Sequence, residues 1–395
     1  MTQVVVARPT TAEDRDRRDS RFVVTVLVAE QAAAVLVGAL GAFDLARADV
    51  WLRALLLVQL GLSVTLVVRL FPGARLRPRF PLLAAWAVGG LVVSVAVRGA
   101  LGGASPAIVA DAVARLFLPL VLVAVLSARP NLFQGLRGED RRVIAAVIAA
   151  AAATVAVLGF RHLQGLNNAW LSGDPVLPLL AVPVLVRGGR SAWLAGPLIA
   201  VALLLSGKRF ALLAWAFAVV LSITLVRGRR MARAAKVGAF LAVAVGLLAV
   251  TGLLTVTLQR AGSAANLVRA HEVSRATSKT EVDPSTGQRV EEIRDAVGRA
   301  TDPPSWVVGA PFGDIVLDNG IVTHAIHNTP VFLLTVGGPL WLASLIGLRS
   351  RRDGQPAWLD RRSVLGLAAI VVLLDANAAN MALSPSFACA LAILV

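Results

Sequence analysis

The chain has 395 residues, 57% of them hydrophobic and only 16% charged, with a mean hydropathy of +0.75. A soluble domain is nearer a quarter charged, so this composition excludes an ordinary cytosolic enzyme, and the apolar runs match the roughly 20 residues that cross a bilayer core. The net charge of +16 does not indicate nucleic acid, because arginine supplies nearly all of it and no basic stripe carries interleaved aromatics; the single Cys389 excludes an intrachain disulfide.

Residues 1–21 are polar and charged and lack a small-residue cleavage site, so they read as a disordered cytoplasmic tail. Apolar spans follow at 22–41, 54–71, 80–97, 106–127, 142–160, 175–186, 192–206, 210–226, 237–258, 326–348, 363–383 and 384–395. The span at 175–186 is short and carries Pro175, Pro178 and Pro183, and the one at 192–206 is also short. The expected fold is therefore all-α: a polytopic transmembrane bundle of 10–12 helices, with 12 preferred. Nine helices fall within 22–258, a long extracytoplasmic loop containing short helices occupies 259–325, and the remaining helices lie in 326–395.

Arginine and lysine set the orientation through the positive-inside rule. With the N-terminus in the cytoplasm of a plasma-membrane protein, 25 of the 39 basic residues fall on the inner side. The exception among the short loops is Ser206-Gly207-Lys208-Arg209, which is basic and lies on the outer side. Within the long loop, Asp283-Pro284-Ser285-Thr286-Gly287 predicts a turn, and 288–300 a short amphipathic helix ended by Pro303-Pro304. All four histidines, His162, His271, His324 and His327, map to the outer side or its boundary.

The chain has no phosphate-binding Gly-Lys-Ser/Thr loop, no His-Glu-x-x-His, no Gly-x-Ser-x-Gly and no outward Asp-x-Asp that would hold a divalent metal. Asp44 and Asp49 in the first outer loop could ligate a metal, but their spacing is unspecific and they read as solvated carboxylates; no cofactor is expected. Asp111 and Arg115, four residues apart within a span, read as an internal ion pair that fixes helix packing. Two constellations carry chemistry. Lys208 and Arg209 sit at a membrane mouth, where a guanidinium offers a planar fork to phosphate oxygens; two interfacial anchors would have the same spacing. His327 stands at the start of a span, where partial burial holds an imidazole neutral and available as a base; a structural role at the helix mouth fits the same position.

Around these residues the chain resembles the O-antigen ligase and O-antigen polymerase superfamily. The resemblance rests on Gly309-Ala310-Pro311-Phe312-Gly313, on His327-Asn328 before an apolar run, on Gly337-Gly338, and on Ser206-Gly207-Lys208-Arg209 as the counterpart of a Ser-Arg motif. Glu292-Ile293-Arg294-Asp295-Ala296 is similar to the family's arginine-bearing helix. Ala310-Pro311 interrupts the glycine element, Lys208 replaces a small residue, and Gly337-Gly338 is a compressed form of the family's turn.

The resemblance implies a metal-independent membrane glycosyltransferase of the GT-C type, acting in polysaccharide biosynthesis at the cell envelope. Its donor would be a glycan on undecaprenyl or decaprenyl diphosphate, and its acceptor a hydroxyl of a glycan, lipid or protein. His327 would be the base. Arg209 would take part in catalysis and, with Lys208, Arg294, Arg269 and Arg161, hold the donor diphosphate. Asn328, Gly309, Gly313, Gly337 and Gly338 would support the site. Two other readings remain open: a repeat-unit polymerase of the same superfamily, and a lipid-linked oligosaccharide flippase or other transporter.

Overall fold

The computed structural model of the chain describes residues 12–43, 48–74, 76, 78–101, 105–129, 132, 141–163, 179, 190–205, 293, 296–299, 301, 305–310, 315–316, 322–323, 329–348, 366, 369–370, 372–373 and 382–394. Their elements, in chain order, are α1 (Ala12–Phe43), α2 (Ala48–Leu70), α3 (Pro81–Leu101), α4 (Pro106–Ser127), α5 (Arg141–Leu163), α6 (Arg190–Leu205), α7 (Ser305–Val308), β1 (Ile315–Val316), β2 (Val322–Thr323), α8 (Thr329–Leu348) and α9 (Pro385–Leu394). The two strands are an antiparallel pair, Ile315 opposite Thr323 and Val316 opposite Val322. They are a small departure from an all-α expectation; the described chain is otherwise almost entirely helical.

Among the described residues, five helices are long and apolar enough to cross a membrane: Asp14–Leu40, Arg53–Gly73, Pro81–Leu101, Pro106–Ser127 and Thr329–Leu348. This is the pattern of a multi-pass membrane protein. Shorter apolar helices are Ile144–Phe160, Leu194–Leu203 and Pro385–Leu394. The expected spans at 175–186, 210–226, 237–258 and 363–383, and most of the expected loop at 259–325, lie wholly or largely outside the described residues. Proline stands first in α3, α4 and α9, where its missing N–H has no intrahelical partner to lose and its fixed φ suits the helix. Ser105 caps α4 through its side chain, which accepts from Ile108 N.

Of the tail expected over 1–21, residues 1–11 lie outside the described residues, and residues 12–21 are helical, the start of α1. The cause is a set of partners on other helices. Arg129, beyond the end of α4, reaches Asp19 at 2.7 Å and Asp16 at 2.9 Å, and Arg69 of α2 lies 3.7 Å from Asp19. Ser20 Oγ donates to Leu132 O at 2.5 Å. Charges that read as a solvated run are thus held as the first turns of α1, with Asp19 and Ser20 buried.

Three further polar contacts fix the bundle. Glu30 of α1 is fully buried, and a charge or hydrogen-bonding group at such depth is tolerated when its partners are supplied. Its carboxyl accepts from Gln59 Nε2 of α2 at 3.2 Å, from Ser386 N at 3.1 Å and from Ser384 Oγ, which pins the first turn of α9 to α1 and α2. Ser63 Oγ of α2 donates to Leu383 O at 2.9 Å beside it. Gln31 Nε2 donates to Thr154 Oγ1 at 2.9 Å and ties α1 to α5.

The face that matters for the site is α3 against α8, which run antiparallel: Phe80 N meets Gly347 O at 3.5 Å, and Arg98 at the other end meets Val336. A Cβ on Gly347 would lie 2.7 Å from Ala84 N. Small residues at such a crossing let two helix backbones approach closely, the main source of attraction where lipid removes the hydrophobic contrast.

Candidate functional site at the break in α8

Helix α8 is interrupted. Gly338 has φ 62° and ψ −169°, a non-helical conformation inside the helix, and Pro339 follows it. That region of backbone space is open essentially to glycine alone. Two carbonyls stand at the break: Thr335 O, to which Pro339 has no N–H to offer, and Val336 O, two residues before Gly338.

Both carbonyls find partners from elsewhere. Ala310 N donates to Thr335 O at 2.7 Å. Arg98 Nη1, from the last turn of α3, donates to Val336 O at 2.8 Å and also to Ala310 O. A guanidinium at this point adds a positive charge to the C-terminal end of the half-helix formed by 329–337, where the helix dipole favours one. Arg98 Nε returns to Ser94 O at 3.3 Å, and Ser94 Oγ donates to Val308 O at 2.6 Å. The segment 305–310 is therefore laid across α3 and the break in α8 by hydrogen bonds from both.

Gly309 allows this approach. Its φ is 90°, and a Cβ there would sit 2.1 Å from Val336 O and 2.8 Å from Arg98 Nη1, distances no side chain survives. At Gly337 a Cβ would meet Trp341 Cβ at 2.6 Å and Leu116 Cδ2 at 3.0 Å. Trp341 Nε1 in turn donates to Leu116 O at 2.9 Å, three residues before Pro119 within α4. Immediately before Leu116, Arg115 pairs with Asp111 at 2.7 Å and is buried, the internal ion pair that their spacing suggested.

Of the residues singled out in the sequence, Gly309, Gly337 and Gly338 are brought to one joint. Arg161 occupies a helical backbone position in α5. His327, Asn328, Arg209, Lys208, Arg294, Arg269 and Gly313 lie outside the described residues, as does Asp44. His327-Asn328 directly precede Thr329, the first residue of α8. Among the described residues no group of three or more His, Cys, Asp or Glu side chains is placed to hold a metal ion.

The residue that sequence reasoning passed over is Arg98. Hydropathy ends the third span at 97 and makes Arg98 one more boundary arginine, whereas the helix runs on to Leu101. The available signal was a charge within a membrane-length helix, which is a functional hypothesis by default. An open groove of about 730 Å³ lies alongside, between α3 and α8, lined by Trp86, Gly90, Val93, Val97, Arg98 and Leu340 among others. Comparison of the chain with models of protein families, with curated proteins and with solved structures found no match.

Proposed function

We propose that this chain is a metal-independent membrane glycosyltransferase, O-antigen ligase-like, that transfers a glycan from a polyprenyl-diphosphate carrier to an acceptor hydroxyl on the outer face of the membrane. The observation that carries this reading is the packing of Gly309-Ala310 on Thr335-Val336, immediately before Gly337-Gly338 and at the opposite end of the half-helix that begins at Thr329. Two motifs that the resemblance treats as parts of one site thus meet at adjoining residues, on the half-helix that follows His327-Asn328 in the chain. The neighbouring apolar groove suits a hydrocarbon chain.

In the proposed reaction His327 takes the proton of the acceptor hydroxyl. That oxygen forms the new bond to the anomeric carbon, and the polyprenyl diphosphate leaves with the electron pair of the bond that breaks. Arg209 and Lys208, with Arg294, Arg269 and Arg161, supply positive charge for the diphosphate in place of a metal. The N-terminus is cytoplasmic in this arrangement, which puts 259–325 and the start of α8 outside.

The test is purification in lipid with a mixture of polyprenyl-diphosphate glycans and candidate acceptors, with products identified by mass. A transferred glycan whose formation survives excess EDTA is expected. Activity lost on chelation and restored by magnesium or manganese would overturn the metal-free part and turn attention to Asp44 and Asp49. Extension of the donor glycan itself would identify the polymerase reading. The break in α8 also favours a second reading, because interrupted helices with exposed backbone groups are a feature of transporters. Movement of the lipid-linked glycan across the bilayer with no covalent product would select it.

A further inference from the structure

Gly338 is the single non-helical residue between the two halves of α8. On one side, residues 339–348 are packed against α3 down to Ala84 and Gly347; on the other, residues 329–337 form a half-helix that ends the chain segment carrying His327-Asn328. Two soft torsions join the halves. The half-helix is nine residues long, or roughly 13 Å at 1.5 Å per residue, so a rotation of about 5° at Gly338 moves its far end by about 1 Å. Misplacement of a reacting group on that scale costs on the order of 10²-fold in rate. Whatever fixes this angle therefore matters to a reaction at the far end.

We propose that Arg98 is a positioning residue, whose guanidinium fixes the direction of the 329–337 half-helix; under the transfer reading the group so positioned is His327, two residues before Thr329 in the chain. One nitrogen, Nη1, spans two chain segments by donating to Val336 O on the half-helix and to Ala310 O on the glycine element. The stem is itself anchored, through Nε to Ser94 O on α3. The clamp thus references both segments to α3, the helix against which the other half of α8 is packed. Ser94 Oγ adds a second tie to the same segment through Val308 O. Arginine suits this task because its planar, permanently charged fork holds several donors in fixed directions. The choice of His327 as the group being positioned rests on the transfer reading; the clamp does not.

The experiment uses the full chain in lipid nanodiscs, with Cys389 replaced by alanine and spin labels at Leu82→Cys on α3 and Leu334→Cys on the half-helix. Both sites are exposed, at 76% and 48%. The interlabel distance distribution and steady-state kinetics are measured for the parent, Arg98→Ala and Arg98→Lys. The expected result is a narrow distribution in the parent that broadens in Arg98→Ala, with turnover down about 10²-fold and donor KM changed by less than about threefold. Arg98→Lys, which keeps the charge and most of the stem, is expected to restore part of both quantities, and it carries the test if the alanine variant does not fold. An unchanged distribution in a folded variant overturns the clamp whatever the turnover. A broadened distribution with parental turnover overturns the link to catalysis while leaving the transfer reading intact. If the parent itself transfers no glycan, the transfer reading fails and the distance distribution alone decides the clamp.

Discussion

At Gly309 the structure leaves no room for a side chain, and the consequence is measurable. Gly309→Ala is expected to cost about 2–4 kcal/mol, from the left-handed backbone and from the clash with Val336 O. Thermal unfolding of the purified protein in lipid would read it. The control is Gly61→Ala in α2, where a new Cβ meets nothing within 4 Å; there the better helix propensity of alanine should leave stability unchanged or raise it by up to about 1 kcal/mol. Equal losses at the two positions would mean that Gly309 is no special contact. The proposed chemistry makes a different prediction. His327→Ala should lower turnover by roughly 10²–10⁴-fold with donor binding nearly intact. Arg209→Ala should weaken both, and Arg209→Lys should fail as well, since an ammonium cannot reproduce a two-pronged contact. His162→Ala and His271→Ala should be tolerated. Near-normal turnover in a folded His327→Ala protein would return that histidine to a structural role.

At the scale of helices, the break in α8 and the docking of α9 depend on few residues. Pro339→Ala alone should change little, because Gly338 keeps the turn and Ala310 N already serves Thr335 O. Gly338→Ala should cost about 1–3 kcal/mol, the strain of holding alanine in a glycine-only conformation. The double variant is expected to relax toward a continuous helix and to expel Ala310 from Thr335. Faster hydrogen exchange at the Ala310 amide would report the change, and unaltered exchange would count against this account of the break. For α9, Glu30→Ala strips the acceptor from Gln59 and Ser386 and should destabilise by about 2–4 kcal/mol. Glu30→Gln retains a carbonyl acceptor and should lose less, again by thermal unfolding.

For the whole molecule the open prediction is sidedness. A reporter fused at residue 230 or 355 should read cytoplasmic and one at 285 extracytoplasmic, from the arginine asymmetry. The packing adds a constraint that charge counting does not supply. Because α3 and α8 are antiparallel, the Leu101 end of α3 lies at the Thr329 end of α8. Reporters at 103 and 326 must therefore agree. If they agree but read cytoplasmic, the packing stands and the transfer reading falls, since His327 would face the wrong compartment.

The sequence by itself determined that this chain is a multi-pass helical protein, since length and hydropathy are properties of each segment alone. The span at 106–127 and the helix starts at prolines were legible to within a residue or two. It also marked Gly309, Gly337 and Gly338 as special, because a glycine motif is local. Only the tertiary structure decided what those glycines face. Arg98 against Ala310 and Val336, Glu30 against Ser384 and Ser386, and Arg129 against Asp19 each join residues far apart in the chain. The reason is physical: in a membrane helix the surfaces toward lipid and toward neighbouring helices are both apolar. Hydropathy therefore says that a segment spans without saying which way a polar side chain within it turns. Residues 12–21 show the same limit from the other direction, since a charged run is a tail or a helix start according to whether Arg129 and Arg69 come to meet it.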